Sequence, residues 1–251
     1  MNDLLIIQAE EIAPQMWRNG GGQTRELLVW PSPASANSDS RSLSGSLGGT
    51  AFCSVSPARD AGSSFTYAER SATQTPSVTS TVTPWQLRIS RADIGASGPF
   101  SAFDGVQRWF VVLSGNGVVL HMPTSDGHTL DHTLLPGHTP LHFDGGLAPG
   151  CTLVDGPTQD LNLMVRGGSA SVLPVQNGVE WISEYAMCGL YTACGGTWTD
   201  GHQTKALVAH TLLWLPGTDA HAGLNRPPMR FDSDTPTPQA WWLGFTPEPA
   251  P

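Results

Sequence analysis

Lysine is nearly absent from this chain of 251 residues: Lys205 is its only one, and the formal net charge is −9. Binding of nucleic acid or of an anionic membrane by charge needs a basic stripe that neutralises phosphates. The composition therefore predicts neither kind of partner. Long apolar runs are missing too, and the short run at residues 4–7 has no basic segment before it. A secretory signal needs both features, so we expect a cytoplasmic protein.

Metal and nucleotide motifs are also missing. The four cysteines form no C-x-x-C pair and the eight histidines are scattered, so no spacing typical of a zinc site occurs. The Gly20-Gly21-Gly22 run lacks the Lys-Ser/Thr pair of a phosphate-binding loop and leads into an extended segment rather than a helix. Neither a metal nor an organic cofactor is predicted.

Short apolar runs, separated by Gly, Pro, Asn and Asp about every ten residues, dominate what is present. This pattern is typical of β-sandwiches and barrels, and it predicts an all-β protein. Residues 109–113 and 118–121, with the Gly-rich segment 114–117 between them, predict a β-hairpin. Further strands are predicted at residues 4–8, 24–30, 85–90, 129–134, 140–143, 151–154, 161–165, 206–215 and 240–245.

Residues 32–83 have a different composition, in which Ser, Thr, Ala, Gly and Pro dominate and large apolar residues are sparse. Such a segment buries too little apolar surface to offset the entropy of ordering it. We interpret it as an inserted loop of low complexity.

The first polar motif is Trp17-Arg18-Asn19-Gly20-Gly21-Gly22-Gln23-Thr24-Arg25-Glu26. Three consecutive glycines let the backbone approach another segment or a ligand closely. Thr24 and Glu26 are two residues apart, so in a strand they face the same side, and Asn19 can share that space. The plainer interpretation is a flexible glycine hinge before a strand.

A second polar pattern alternates along a predicted strand, Asp160-Leu-Asn-Leu-Met-Val-Arg166. Asp160, Asn162 and Met164 fall on one face and the leucines on the other. Arg88 and Ser90 form a similar pair two residues apart. A buried polar row needs hydrogen-bond partners or a ligand, whereas the alternative is a solvated strand face.

Three separated motifs together resemble the HutD/Ves family of bacterial proteins. They are residues 17–26, the segment Gly98-Pro-Phe-Ser-Ala-Phe-Asp-Gly105 with Arg108, and residues 156–166. The resemblance implies a cupin-like β-barrel (double-stranded β-helix) and a bicupin arrangement with a second, degenerate half. It also implies a buried polar pocket in the first half and a link to histidine utilisation. We place the first half at residues 1–170 and the second at residues 171–251.

Metal-binding cupins carry two histidines and a glutamate ahead of a glycine on their first hairpin. Aligning that glycine with Gly115 places Arg108 at the glutamate position and Ser101 and Phe103 at the histidine positions. A guanidinium cannot ligate a cation, but its fork of donors suits a carboxylate. The resemblance thus implies a pocket for a small anionic metabolite, unless Arg108 is held internally by Glu26 or Asp160.

Three functions remain open on the sequence. The first is a metal-free protein that binds a small carboxylate, with urocanate or N-formylglutamate as candidates, and modulates histidine utilisation. The second is a metal-free enzyme, an isomerase or hydrolase, with Glu26 or Asp160 as general base. The third is an interaction protein, and a homodimer is compatible with all three. The predicted ligand-binding residues are Asn19, Thr24, Glu26, Arg88, Ser90, Phe100, Arg108, Asp160, Asn162 and Met164.

Overall fold

The computed structural model describes residues 4–31, 85–217 and 226–248. The predicted insertion at residues 32–83 lies outside these ranges. The described residues include two short 3-10 helices, Ala9–Glu11 and Gly145–Leu147, and contain no helix with the length and apolarity needed to cross a membrane. Their strands are, in chain order, β1 (Leu5–Gln8), β2 (Gln15–Met16), β3 (Gly22–Pro31), β4 (Trp85–Ile94), β5 (Gly98–Pro99), β6 (Gln107–Ser114), β7 (Val118–Pro123), β8 (Thr129–Leu134), β9 (Leu141–Asp144), β10 (Gly150–Leu153), β11 (Thr158–Val165), β12 (Ser169–Pro174), β13 (Glu180–Trp181), β14 (Met187–Thr192), β15 (Gly196–Thr199), β16 (Thr204–Leu207), β17 (Thr211–Leu215), β18 (Met229–Ser233) and β19 (Ala240–Thr246).

These strands form two pairs of antiparallel sheets. The first pair has a six-stranded sheet, ordered β2-β3-β4-β11-β6-β9, and a four-stranded sheet, ordered β5-β10-β7-β8. The second pair has a five-stranded sheet, ordered β1-β17-β14-β19-β12, and a four-stranded sheet, ordered β13-β18-β15-β16. The all-β prediction is therefore confirmed.

Three apolar cores follow from this layering. One core lies inside each sheet pair, around Phe110 in the first and Trp198 in the second. The third lies between the six-stranded and five-stranded sheets, where Leu161 and Leu163 belong to the same cluster as Trp241. The central sheets are thus covered on both faces, which removes the alternation of buried and exposed residues from their strands.

Strand β11 shows how this layering positions the polar row. Its odd-numbered residues, such as Leu163, contribute to the core between the sheets. Its even-numbered residues Asp160, Asn162 and Met164 line the interior of the first sheet pair. Both sets are buried, because side chains alternate across a strand that is covered on both faces.

The N-terminal strand lies in the second pair of sheets. Leu5–Gln8 pairs with Thr211–Leu215, in a register that places Leu5 opposite Trp214. A division of the chain near residue 170 therefore does not separate the two sheet pairs. Ile7 gives the physical reason, because it packs against the core between the two central sheets.

Two predictions of local structure are wrong. Residues 109–113 and 118–121 lie in strands β6 and β7 as predicted, but the two strands belong to different sheets and do not form a hairpin. Gly115 and Gly117 both have a φ of +89°, and a Cβ on either would collide with the backbone of Pro157 or Leu134. The Gly-rich segment is therefore a corner between sheets.

The predicted strand at residues 206–215 is also wrong. It is two strands, β16 and β17, in different sheets. The chain changes sheet at His210, whose φ is +59°. The remaining predicted strands are confirmed to within a few residues at their ends.

Candidate ligand-binding site

A cavity of about 660 Å³ lies inside the first pair of sheets. Strands β3, β4, β6 and β11 supply its polar wall, and the segment before β3 forms one side of its entrance. The residues that line it are Met16, Trp17, Arg18, Asn19, Thr24, Arg88, Ser90, Ala92, Pro99, Phe100, Ser101, Phe103, Arg108, Asp160, Asn162 and Met164. This volume is within the range of about 300–1,000 Å³ that is usual for small-molecule sites.

Nine of the ten sequence-predicted ligand residues line this one cavity. They come from four separate stretches of chain, which strand pairing brings together: Ser90 on β4 lies opposite both Glu26 on β3 and Asn162 on β11. Glu26 is the exception. It contacts the cavity through Arg88, whose Nε lies 2.7 Å from Glu26 Oε2.

Arg108 forms the floor of the cavity. Its side chain is almost fully buried, its guanidinium lies 4.2 Å from the centre of the Phe100 ring, and its Nε donates to Asn162 Oδ1 at 2.8 Å. Burial lowers the pKa of Arg108 to about 10, and the nearby Asp160 opposes that shift. Among the described residues Arg108 makes no other hydrogen bond and no ion pair, so neither Glu26 nor Asp160 holds it directly.

Asp160 lies beside Arg108 and is wholly buried. Its Oδ1 accepts a short hydrogen bond from Asn162 Nδ2, whereas its Oδ2 has no hydrogen-bond partner among the described residues. Burial raises the pKa of Asp160 to about 7, against the opposing effects of Arg108 and Asn162. Arg108, Asn162 and Asp160 thus form a chain in which the amide separates the two ionisable groups.

The entrance segment is built around the first polar motif. Trp17 Nε1 donates to Thr24 Oγ1 at 2.8 Å, and Asn19 Oδ1 accepts from the backbone N–H of Gly21 at 3.0 Å. A Cβ on Gly22 would lie 2.5 Å from the carbonyl oxygen of Asp93 and 3.0 Å from the Trp17 ring. The glycine run therefore serves close approach of the backbone, which is one of the two interpretations that the sequence left open.

Several lining residues were not predicted from the sequence, among them Met16, Trp17 and Arg18. Trp17 and Arg18 belong to the first polar motif, so the motif itself carried the signal. Met16 carried none, because it is 67% exposed and joins the cavity only through the pairing of β2 with β3. Arg18, at the mouth, forms no ion pair with a described residue.

The cavity does not fit a divalent cation at the position that metal-binding cupins use. Ser101 and Phe103 line the cavity, as aligned from the sequence, and Arg108 occupies the third position. Phenyl and guanidinium groups are not metal ligands. Within the described ranges, no three His, Cys, Asp or Glu side chains cluster in a way that could hold a metal ion.

A separate polar cluster lies on the outer face of the first four-stranded sheet. His121 contacts Asp131 Oδ1 through Nδ1 at 2.7 Å and Thr152 Oγ1 through Nε2 at 2.8 Å. The order of groups resembles a nucleophile, base and carboxylate. All three hydrogen-bonded groups lie at the surface and line neither cavity found in the described residues, so we interpret them as a cross-strand contact.

Comparison with solved structures identifies the architecture. HutD from Pseudomonas fluorescens SBW25 superposes with a TM-score of 0.66 at 20% identity, over 98% of this chain and all of that chain. A mutant of Bacillus subtilis oxalate decarboxylase superposes with a TM-score of 0.51 at 8% identity, over 98% of this chain and 78% of that chain. These likenesses show a cupin-like fold.

Comparison of sequences gives the family. Protein Ves of Citrobacter koseri is 25% identical over 228 residues, which cover 80% of this chain and 90% of that protein. The family model described as HutD matches residues 72–228, more than half of the chain. That range includes the motifs around Arg108 and Asp160, and it begins after the motif at residues 17–26. On this evidence the chain belongs to the HutD family.

Proposed function

We propose that this protein binds a small carboxylate in the cavity of its first sheet pair, with Arg108 as the anchor. The observation that carries the proposal is the buried guanidinium of Arg108, whose terminal nitrogens have no partner among the described residues. Burying a cation without an anion is costly. A ligand carboxylate that accepts two hydrogen bonds from the guanidinium would remove that cost.

Arg108 is a better anchor than Arg88. The charge of Arg88 is already compensated by Glu26 at 2.7 Å, and the Arg88 side chain is 21% exposed. The aromatic rings of Phe100, Phe110 and Phe143 surround Arg108 instead. They fix the plane of its guanidinium and keep water away, and both effects strengthen a charged hydrogen bond.

The remaining lining groups suit the rest of a small metabolite. Asn19, Ser90 and Asp160 offer hydrogen-bonding atoms, whereas Phe103 and Met164 offer apolar surface. Membership of the HutD family connects the protein with histidine utilisation, so the candidate ligands are urocanate and N-formylglutamate. We infer that ligand binding modulates that pathway without a direct contact with DNA.

We also infer that the two sheet pairs are two cupin-like barrels, which makes the protein a bicupin. The second barrel has its own apolar interior around Trp198 and Phe231. Large aromatic side chains fill that interior, so ligand binding is assigned to the first barrel.

Thermal unfolding of the purified full chain tests the proposal. Urocanate, N-formylglutamate, histidine and glutamate are added separately, and divalent metals are added with a chelator control. A ligand at 100 times its dissociation constant stabilises the folded state by about 2.7 kcal/mol. We expect a carboxylate to raise the melting temperature of the wild type and of Arg230→Met, a surface control, but not of Arg108→Met.

Two results would contradict this function. A shift with metals alone, abolished by the chelator, would show that the cavity takes cations. No shift with any carboxylate would show that the free guanidinium is not an anchor for these metabolites.

A second candidate function is a metal-free enzyme, and one observation favours it. Asp160 is a buried carboxyl group whose pKa is raised to about 7, which suits proton transfer near neutral pH. Asp160→Asn would then bind a substrate but not convert it. Conversion of either candidate ligand by the wild type, followed by chromatography, distinguishes this function from binding alone.

A further inference from the structure

We propose that the carboxylate ligand enters the cavity together with one proton, which Asp160 takes up and then shares with the ligand through Oδ2. This inference rests on the proposed binding function and adds to it a second recognition group and a pH dependence. Asp160 is the specificity-determining residue in this arrangement, since it selects ligands with a hydrogen-bond acceptor beside the carboxylate.

The first argument is the position of Asp160. It lies in the middle of the six-stranded sheet, paired with Ala92 on one side and Val112 on the other, and its side chain lines the cavity. Its Oδ2 is buried without a partner among the described residues. A buried polar atom without a partner costs free energy, and a ligand in the cavity is the partner that the site lacks.

The second argument is a count of charges. In the ligand-free cavity Arg108 is the cation nearest to Asp160, joined to it through the amide of Asn162. A ligand carboxylate at Arg108 compensates that positive charge and brings a second negative charge close to Asp160. One guanidinium cannot compensate two carboxylates in a dry cavity, because like charges at short range disfavour ionisation. Ligand binding therefore favours the neutral acid at Asp160.

The surrounding groups leave Asp160 as the residue that responds. Burial raises the pKa of the Cys151 thiol to about 12, and Arg88 is held by Glu26. Burial also raises the pKa of Asp160 itself to about 7, and the negative charge of Asp93 adds to that effect. The titratable or charged groups around Asp160 are, element by element, Glu26 on β3, Arg88, Arg91 and Asp93 on β4, Arg108 on β6, Cys151 on β10 and Tyr191 on β14.

The chemistry of the ligand follows. It carries a carboxylate for Arg108 and, a few ångströms away, an oxygen or unprotonated nitrogen that accepts the proton of the Asp160 acid. The formyl oxygen of N-formylglutamate and the neutral imidazole of urocanate are both acceptors of this kind. A carboxylate without such an acceptor gains only the contact with Arg108.

Titration calorimetry in buffers with different ionisation enthalpies tests the proposal, because the buffer dependence of the heat counts the protons taken up. N-formylglutamate is the probe, since its carboxyl groups are ionised throughout the range from about pH 6 to 8.5. If only urocanate binds, it is used from about pH 7 to 8.5, where its ring is neutral. We expect proton uptake to increase from about pH 6 to 8, towards one proton per ligand, and affinity above about pH 7 to fall by up to about tenfold per pH unit.

Asp160→Asn is the decisive variant, because an asparagine keeps both a donor and an acceptor at this position but does not titrate. We expect it to bind the probe without proton uptake and with an affinity that is independent of pH. Asp155→Asn, a surface control, should behave as the wild type does. If the Asp160→Asn variant does not fold, the wild-type measurement alone decides the question.

The possible results separate the two proposals. Binding by the wild type without proton uptake at about pH 8, or equal uptake by Asp160→Asn, would overturn the inference while the binding function stands. No binding by the wild type would count against the binding function itself, and with it against this inference.

Discussion

Replacing Asp160 with asparagine should make the protein more stable at neutral pH than at acid pH, relative to the wild type. The pKa of Asp160 is raised from its ordinary value of 3.8 to about 7, chiefly by burial. A carboxyl with a raised folded-state pKa contributes stability that is fully present below its unfolded pKa. That contribution is lost as the pH rises through about 4 to 7, where the folded state must release a proton that it holds more tightly.

The size of the effect follows from the shift. A difference of about three pKa units corresponds to about 4 kcal/mol at ~1.4 kcal/mol per unit. Asp160 is wholly buried, so solvent screening does not reduce this figure. Asparagine at this position does not titrate and can still accept from Asn162. The stability of Asp160→Asn minus that of the wild type should therefore increase by about 4 kcal/mol between about pH 4 and pH 8.

Urea unfolding at intervals of about half a pH unit measures this difference. At ~2–4 °C per kcal/mol for a chain of this size, the melting temperatures should also diverge by roughly 10 °C over the same range. The surface substitution Asp155→Asn is the matched control and should show no such divergence. Parallel stability curves for the wild type and Asp160→Asn would refute the assignment of Asp160 as a carboxyl that is neutral at acid pH and strained when ionised.

Three further substitutions test other parts of the site. Arg108→Met removes the buried cation, and loss of one partner of a buried charged contact costs about 2–5 kcal/mol; calorimetry should show carboxylate binding at least about 30-fold weaker, with Arg230→Met unaffected. Thr24→Val removes the acceptor of the indole N–H at the entrance, which should cost about 1 kcal/mol of stability and change the tryptophan fluorescence, whereas unchanged fluorescence would contradict this contact. Gly22→Ala places a Cβ 2.5 Å from a carbonyl oxygen of β4 and should lower stability by about 1–3 kcal/mol in urea unfolding. At Gly21 the nearest atom is 3.4 Å away, so equal losses in Gly21→Ala and Gly22→Ala would refute the steric reason.

Local sequence patterns predicted most of the strands and much of the cavity wall. Alternation in Asp160, Asn162 and Met164 gave the correct face of β11, because side-chain direction in a strand has a period of two whatever the strand packs against. The same rule placed Trp241 and Trp242 on opposite faces of β19, and they join different apolar cores.

Other strands gave no local signal. Met187–Thr192 is buried along its whole length and contains Gly189, which is required because a Cβ there would collide with the backbone of Leu213. A strand buried on both faces shows no alternation, and an interior glycine is indistinguishable from a turn glycine in sequence. The same limit explains the wrong hairpin at Gly115 and Gly117, since a turn between paired strands and a corner between sheets use the same residues.

The sequence by itself determined the fold class, the polar rows and the unsuitability of Arg108 as a metal ligand, because these depend on residue type and on spacing along one strand. Only the tertiary structure decided which arginine is compensated. Glu26 is far along the chain from both Arg88 and Arg108, and strand register places it beside Arg88. Arg108 is left with Asn162, and Asp160 with an oxygen that has no partner among the described residues. Ion pairing and burial depend on which strands become neighbours, and long-range pairing sets those neighbours.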